Sequence, residues 1–380
     1  MSTMLITSHP APVREAIGRH RDALDADPVA YLEENGTRLT EASRAAAASY
    51  LGMHPAHVAL TDSTTMGVGL IYTGLKVGPG QEVLTTDEDY YVTHESLRHL
   101  TDATGATERR ISLFDDISEA TDGGIVQRIV DAIRPETRLL ALTWVHSSTG
   151  LKIPVGSIAV ALQEINAGRD EQDHVLFGLD AVHGFGVETD SFFDLGVDFL
   201  MAGCHKWLFG PRGTGIAAIS ERGLGAVRPI VPTFDDARVF SRWYAGEDYA
   251  LSNNGRTLTP GGFKDFEHRW ALAEAFALHE EIGRARVAER THTLAGDLKD
   301  ALAGIRGVSV VTPRQPGLSA GIVCFDVEGL EPEEVVSRLR SRSVVASVAP
   351  YPSAHVRLTP SIRNSEAEIE AAARAVRSII

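Results

Sequence analysis

The sequence predicts an α/β protein: a mainly parallel sheet covered by helices, followed by a smaller α+β domain. Three observations carry this expectation. Short apolar runs ending in polar residues alternate with amphipathic stretches through the first part of the chain. That rhythm changes after about Leu251, at a cluster of turn-forming residues. The length of 380 residues also exceeds what one hydrophobic core usually organises.

In order, Val58 to Thr61, Glu82 to Thr85 and Arg138 to Thr143 read as buried strands, and His174 to Leu179 and Asp198 to Met201 repeat the pattern. Thr93 to Thr101 and Gly124 to Ile133 have the spacing of amphipathic helices. Strands alternating with helices favour parallel pairing with both sheet faces covered. Functional residues then gather where the carboxyl ends of the strands open into loops. Ser63-Thr64-Thr65, Asp89-Tyr90, His146-Ser147, Asp180 and Lys206 each follow such a run. Past Leu251, Asn253-Asn254-Gly255 and Pro260-Gly261-Gly262 are turn chemistry. The spacing then predicts one helix from Phe266 to Leu302, with Gly283 inside it. Strands at Val308 to Val311, Gly321 to Phe325 and Val344 to Val348 surround a helix from Pro332 to Arg342. A last helix begins near Ser365, with Glu368 completing a capping box. The expected division is an N-terminal segment over 1–25 packing with the small domain, a large domain over 26–250, and the small domain over 251–380.

The apolar and charged fractions, 43% and 23%, are those of an ordinary globular protein. Lys and Arg number 36 against 51 Asp and Glu, a net charge of −15. Nucleic acid and anionic membrane would be repelled by that surplus, although a local basic pocket for a small anion is compatible with it. Cys204 and Cys324 are too few for a disulfide framework or a thiolate metal site, which fits a reducing cytoplasm. No apolar stretch reaches the ~18 residues of a membrane span. The first residues lack the features of a signal peptide. A soluble, cytoplasmic protein is expected, bound to neither nucleic acid nor membrane.

The sharpest signal is Phe177-Gly-Leu-Asp180-Ala-Val-His183-Gly-Phe-Gly186, followed by Ala202-Gly-Cys-His205-Lys206-Trp-Leu-Phe-Gly-Pro211-Arg-Gly-Thr-Gly215. Taken singly, these residues would be a buried salt bridge and two core histidines. A zinc set of Asp180, His183 and His205 lacks the helical i, i+3 or i+4 pair that metal triads usually include. Taken whole, the string resembles the class V aminotransferase branch of pyridoxal-phosphate enzymes, which have the aspartate aminotransferase fold. Within that branch it looks most like the isopenicillin N epimerase-like group, over about Ser8 to Ile380.

The resemblance implies a seven-stranded, mainly parallel sheet in a large cofactor domain, a small α+β C-terminal domain, pyridoxal phosphate as cofactor and no metal. It makes Lys206 the lysine that forms an imine with the cofactor aldehyde, and Asp180 the carboxylate that keeps the pyridine nitrogen protonated. It puts His183 near the phenolic oxygen and His205 at the phosphate or beside the imine. Thr61 to Gly67 matches the phosphate loop, with Thr64 and Thr65 as donors and Ser63 behind them at a helix N-terminus. A plain helix cap is the simpler reading of the same residues. Tyr90 matches the residue stacked on the cofactor ring, with Tyr91 as the fallback and a core tyrosine as the bland alternative. Ser147 stands where desulfurase relatives carry asparagine, so the hydrogen bond to the phenolic oxygen falls to Ser147 or His183. In Arg256 to Phe263, Thr259 matches a threonine given across a two-fold axis to the partner's phosphate, which implies a homodimer with shared sites. Arg357 matches the arginine that binds the substrate carboxylate bidentately, which implies an amino-acid substrate.

Departures from the family pattern narrow the function. Val344 to Ala354 has no cysteine, against a persulfide-forming desulfurase. No Gly-x-Gly-x-x-Gly follows a first strand, against a dinucleotide enzyme. The expected enzyme acts on an amino acid or a cysteine S-conjugate through an external aldimine and a Cα carbanion. Racemisation, transamination, β-elimination as a C–S lyase, and decarboxylating oxidative deamination of S-linked amino acids of lincosamide type all remain open. Specialised metabolism, such as antibiotic biosynthesis, is preferred to a housekeeping aminotransferase.

Overall fold

Seven strands form one sheet in the computed structural model, which describes residues 1–248 and 251–380. They are β1 (Val58–Thr61), β2 (Glu82–Thr86), β3 (Thr107–Ile111), β4 (Thr137–Thr143), β5 (Leu176–Asp180), β6 (Phe199–Gly203) and β7 (Gly215–Ile219). Their order is β1-β7-β6-β5-β4-β2-β3. The pairs from β3 through to β6 are parallel, while β7 runs antiparallel to both β6 and β1. The predicted α/β class is the observed one. Period-two alternation divides each central strand between two cores: Leu140, Leu142, Phe177, Leu179 and Leu200 face one, and Leu139, Ala141, Leu176, Phe199 and Met201 the other. The first core takes Ala16 and Ala47 from the helices Ala11–Ala26 and Pro28–Leu51; the second takes Val68 and Leu97 from the helices Thr64–Thr73 and Tyr91–Thr104.

Two strands of this sheet were not expected. β3 is an edge strand reading Thr-Glu-Arg-Arg-Ile, partly exposed, so it lacks an apolar run. β7 reads Gly-Ile-Ala-Ala-Ile and is wholly buried; its glycine and two alanines fit where helix Thr64–Thr73 crosses the sheet.

A second, antiparallel sheet has the order β10-β11-β9-β8, with β8 (Val308–Val310), β9 (Val323–Val327), β10 (Ser347–Val348) and β11 (Val356–Leu358). Helices Arg284–Ala303, Pro332–Arg340 and Glu366–Arg377 cover it around Phe325, Leu294 and Val376. The capping box of Ser365 and Glu368 is present. The single helix expected over Phe266 to Leu302 is instead three: Phe266–Trp270, Leu272–Ile282 and Arg284–Ala303. Gly283 makes the sharpest break, at φ +94°, where a side chain would be strained. The strand expected over Val344 to Val348 shrinks to its last two residues, because Val344 instead closes the preceding helix by donating to Leu339 O.

The N-terminal segment has two attachments. Ser2 pairs with Thr359 beside the small sheet, and Thr3 Oγ1 donates to Ser361 Oγ at 3.0 Å. Helix Ala11–Ala26, in contrast, packs on the helices Pro28–Leu51, Phe266–Trp270 and Leu272–Ile282. The expected boundary at 250 and 251 falls beside residues 249 and 250, which lie outside the described residues. Among the described residues no helix is long and apolar enough to cross a membrane.

Candidate active site

β5 ends in Asp180, and β6 ends in Gly203 and leads directly to Cys204-His205-Lys206. Registers of Asp180 with Met201 and of Thr143 with Asp180 set these strand ends side by side. They open into a cavity of about 250 Å³. Lys206, Asp180, His183, His205, Ser63, Thr64, Thr65, Tyr90, Ser147 and Arg357 all line it. Of the predicted site residues only Thr259 does not.

Lys206 and Asp180 form no salt bridge. Among the described residues, Lys206 Nζ has no hydrogen-bond or ion-pair partner. Burial lowers its pKa to about 8, with Asp180 opposing and Arg357 assisting. Burial also pushes Asp180 up to about 6, against the hydrogen bond from Val182 N to its Oδ1 at 3.0 Å and the charge of Lys206. Each charge still favours the other's charged form, but no direct contact joins them, so the internal ion pair of the plainer reading fails on geometry.

His183 Nδ1 accepts from Trp207 Nε1 at 3.2 Å. Indole N–H can only donate, so a neutral His183 carries its own proton on Nε2. Burial, then Lys206, holds its pKa well below the usual value, which keeps the ring neutral. His205 Nδ1 is buried with no partner among the described residues. The backbone behind it is pinned by Thr7 Oγ1, which donates to His205 O at 3.0 Å and Lys206 O at 3.2 Å.

Ser63 caps helix Thr64–Thr73 by accepting from Met66 N at 3.1 Å. Thr64 Oγ1 accepts from Gly203 N at 2.7 Å, so the start of this helix is tied to the end of β6. A Cβ at Gly203 would stand 3.1 Å from both Thr64 Oγ1 and the His205 ring, which is why no side chain occupies that corner. The N–H groups of Thr64 and Thr65, in the first turn, have no intrahelical acceptor and lie at the positive end of the helix dipole.

Arg357 is 3% exposed. Its Nη1 donates to Ser147 O at 2.9 Å, Nη2 to Val348 O at 2.8 Å and Nε to Ser347 Oγ at 3.3 Å. Every one of these acceptors is neutral, and among the described residues no carboxylate pairs with this guanidinium. Burial pushes its pKa down. Three of five N–H donors are used, which leaves two for a ligand.

Tyr90 precedes helix Tyr91–Thr104, with its ring half-buried and 5.7 Å from that of Tyr351. Ser147 Oγ and Tyr351 Oη are 2.8 Å apart. Tyr351 was missed in the sequence because it lies in a short irregular turn, between strands of two and three residues, that carries no periodic signal. Met4 and Leu5 were missed too; they reach the cavity from the far end of the chain.

Thr259 requires a correction. Its hydroxyl accepts from Arg44 Nη1 at 3.1 Å and Leu60 N at 3.0 Å and donates to Gly255 O at 2.7 Å. It is 0% exposed, so it fastens its own segment to β1 and is not available to a partner's phosphate. Sequence adjacency to a Pro-Gly-Gly turn gave no sign that Arg44 would claim it.

The family model for aminotransferase class-V matches residues 7–362. The isopenicillin N epimerase of Amycolatopsis lactamdurans is 27% identical over 97% of this chain and 92% of its own length. That of Streptomyces clavuligerus is 24% identical over 97% and 91%. Among solved structures, the cystine C–S lyase C-DES, as a lysine-to-alanine variant with glycine covalently linked to its PLP cofactor, matches with a TM-score of 0.85 at 20% identity, over 97% of this chain and 93% of that one. With a match over most of its length, the chain belongs to the aminotransferase class-V family and is an enzyme whose cofactor is pyridoxal phosphate.

Proposed function

We propose that this cavity performs chemistry at the Cα of an amino acid, in specialised metabolism, in a cytoplasmic homodimer. The observation that carries the reading is an unpaired buried amine, Lys206, sharing one cavity with Asp180 and with a buried guanidinium, Arg357, that has no anion. The residues suit pyridoxal phosphate: an anion site at the start of helix Thr64–Thr73, an orphaned His205 Nδ1, a buried carboxyl and a free amine. When bound, this cofactor supplies an aldehyde for amines and a ring that takes up the electron pair released at Cα.

Thr64, Thr65, Ser63 and His205 would hold the phosphate, through N–H groups, hydroxyls and Nδ1. Asp180 would face the ring nitrogen and keep a proton there. His183 would offer its Nε2–H to the phenolic oxygen. Ser147 is the weaker candidate for that bond, because its hydroxyl is engaged with Tyr351. Tyr90 would lie against the ring. Lys206 would attach the cofactor and, once released, take or return the proton at Cα. A pKa of about 8 leaves part of its population unprotonated near neutral pH, as a base requires. The two free N–H donors of Arg357 suit the planar fork of a substrate carboxylate.

Desulfuration through a cysteine nucleophile has no support. Both thiols are buried; burial pushes Cys324 up to about 12 and Cys204 higher still. A homodimer is supported by exposed aromatic side chains at Phe234, Phe240, Trp243, Tyr244 and Phe263, an apolar surface that a lone soluble chain rarely presents. Phe263, 81% exposed, lies in the same Arg256 to Phe263 segment as Thr259.

Borohydride reduction and peptide mapping should find the cofactor on Lys206. Incubation with D- and L-amino acids and cysteine S-conjugates, followed by chiral and mass analysis, should yield a racemised amino acid, a keto acid or a cleaved thiol. Protein that takes up no pyridoxal phosphate would overturn the reading.

A further inference from the structure

Once the groups assigned to cofactor and carboxylate are set aside, the cavity lining is dominated by Met4, Leu5, Val92, Val182, Pro350 and Tyr351. No charged side chain is among them. Leu5 is 49% exposed and the adjoining Ile6 54%, so the apolar lining continues onto the surface. A single exposed leucine would mean nothing; one continuous with a ligand cavity extends its wall.

That wall is held in place. Leu5 N donates to Ser2 O at 3.1 Å and Met4 N to Thr359 Oγ1 at 3.4 Å. Tyr351 N donates to Ala349 O at 2.9 Å, and its hydroxyl is bound to Ser147 Oγ. With that hydroxyl engaged, the tyrosine contributes its ring. The same Ser147 accepts Arg357 at its carbonyl oxygen. The wall and the carboxylate anchor therefore share a support, which sets Tyr351 beside the place where Arg357 would grip a substrate.

We infer that this wall selects amino acids with an uncharged, apolar side chain, aliphatic, thioether or aromatic, and that Tyr351 is the residue that decides it. The inference rests on the amino-acid reading proposed above. A second carboxylate or ammonium carried into the wall would lose water and find no partner, whereas an apolar group gains by the same transfer.

The test is a titration of the holoenzyme with L-leucine, L-methionine and L-phenylalanine against L-glutamate and L-lysine. The readout is the absorbance of the bound cofactor, which needs no turnover. The apolar set should bind at least about tenfold more tightly than the charged pair. Tyr351→Ala should shrink that preference to less than about threefold with cofactor still bound, and Tyr351→Phe should preserve it. Leu5→Lys, at an exposed position that tolerates change, should tighten glutamate binding several-fold. Glutamate or lysine binding as well as leucine, an unaltered preference in Tyr351→Ala, or unchanged glutamate binding in Leu5→Lys would each overturn the inference. Those outcomes leave the amino-acid reading standing. No spectral response to any amino acid, alanine and glycine included, would remove that reading and this inference with it.

Discussion

A lysine and an aspartate that both lean towards their uncharged forms make the folded protein's stability depend on pH in two separate windows. Asp180 has a folded pKa of about 6 against 3.8 unfolded. Between those values the folded state holds a proton that the unfolded chain has released, so stability falls as pH rises through about 6. Lys206 has a folded pKa of about 8 against 10.5. There the unfolded chain holds the extra proton, so this contribution grows with rising pH above about 8. Each window spans on the order of 3 kcal/mol. Urea unfolding of cofactor-free protein across pH should reveal both slopes; Asp180→Asn should flatten the acid one and widen the alkaline one, since Asp180 opposes the lowering of the Lys206 pKa. In turnover, Asp180→Asn should keep some cofactor yet lose about 100-fold or more in kcat, since an amide cannot keep the ring nitrogen protonated. Arg357→Ala should raise KM for an amino acid by about 100-fold while decarboxylated amines are handled as before, which steady-state kinetics on matched pairs would show. Lys206 and Asp180 were legible in the sequence because each ends a buried apolar run, where a polar residue needs a reason. Thr259 was misread because its fate depends on Arg44, brought to it only by the packing of helix Pro28–Leu51 on β1.

Among elements, the break at Gly283 shows how far periodicity can be followed. Apolar spacing continues across it, since helices Leu272–Ile282 and Arg284–Ala303 both bury a face, so spacing alone predicted one helix. The glycine, at φ +94°, carried the missing information. Gly283→Ala should cost about 1–3 kcal/mol by chemical denaturation, because alanine cannot adopt that conformation without strain. A second junction lies at Glu188, whose Oε2 accepts from Lys152 Nζ at 2.8 Å and whose Oε1 meets His292 Nε2 at 2.7 Å. It links the segment after β5 to helix Arg284–Ala303, which covers the second sheet. Glu188→Ala leaves Lys152 without its partner and should cost about 2–4 kcal/mol in the same measurement. Such junctions join segments remote in sequence and have no local pattern by which to find them.

For the whole molecule, alternation of strands and helices sufficed for the parallel core, because buried central strands must be apolar on both faces. It did not reveal β3 or β7, whose burial is supplied by an edge position or by small residues under a crossing helix. Nor did it reveal the exposed aromatic helix Ala237–Tyr244, where Phe240 stacks near Trp243 and Tyr244. If that face joins two chains, sedimentation equilibrium should find a dimer for the parent and mostly monomer for a Phe240→Ser, Trp243→Asp double variant. A dimer of unchanged strength would direct attention to another face.

The amino end of the chain has a practical consequence for handling the enzyme. Residues 2 to 7 run from Thr359 and Ser361, past the cavity, to the carbonyl groups of His205 and Lys206. A purification tag or surface linker fused there would crowd the mouth of the cavity and pull on the lysine's own peptide units. A fusion after Ile380, which is exposed, leaves that strap untouched. Amino-terminal fusions and carboxyl-terminal ones are therefore not interchangeable reagents for this protein, and differences between them should be read first as damage to the strap.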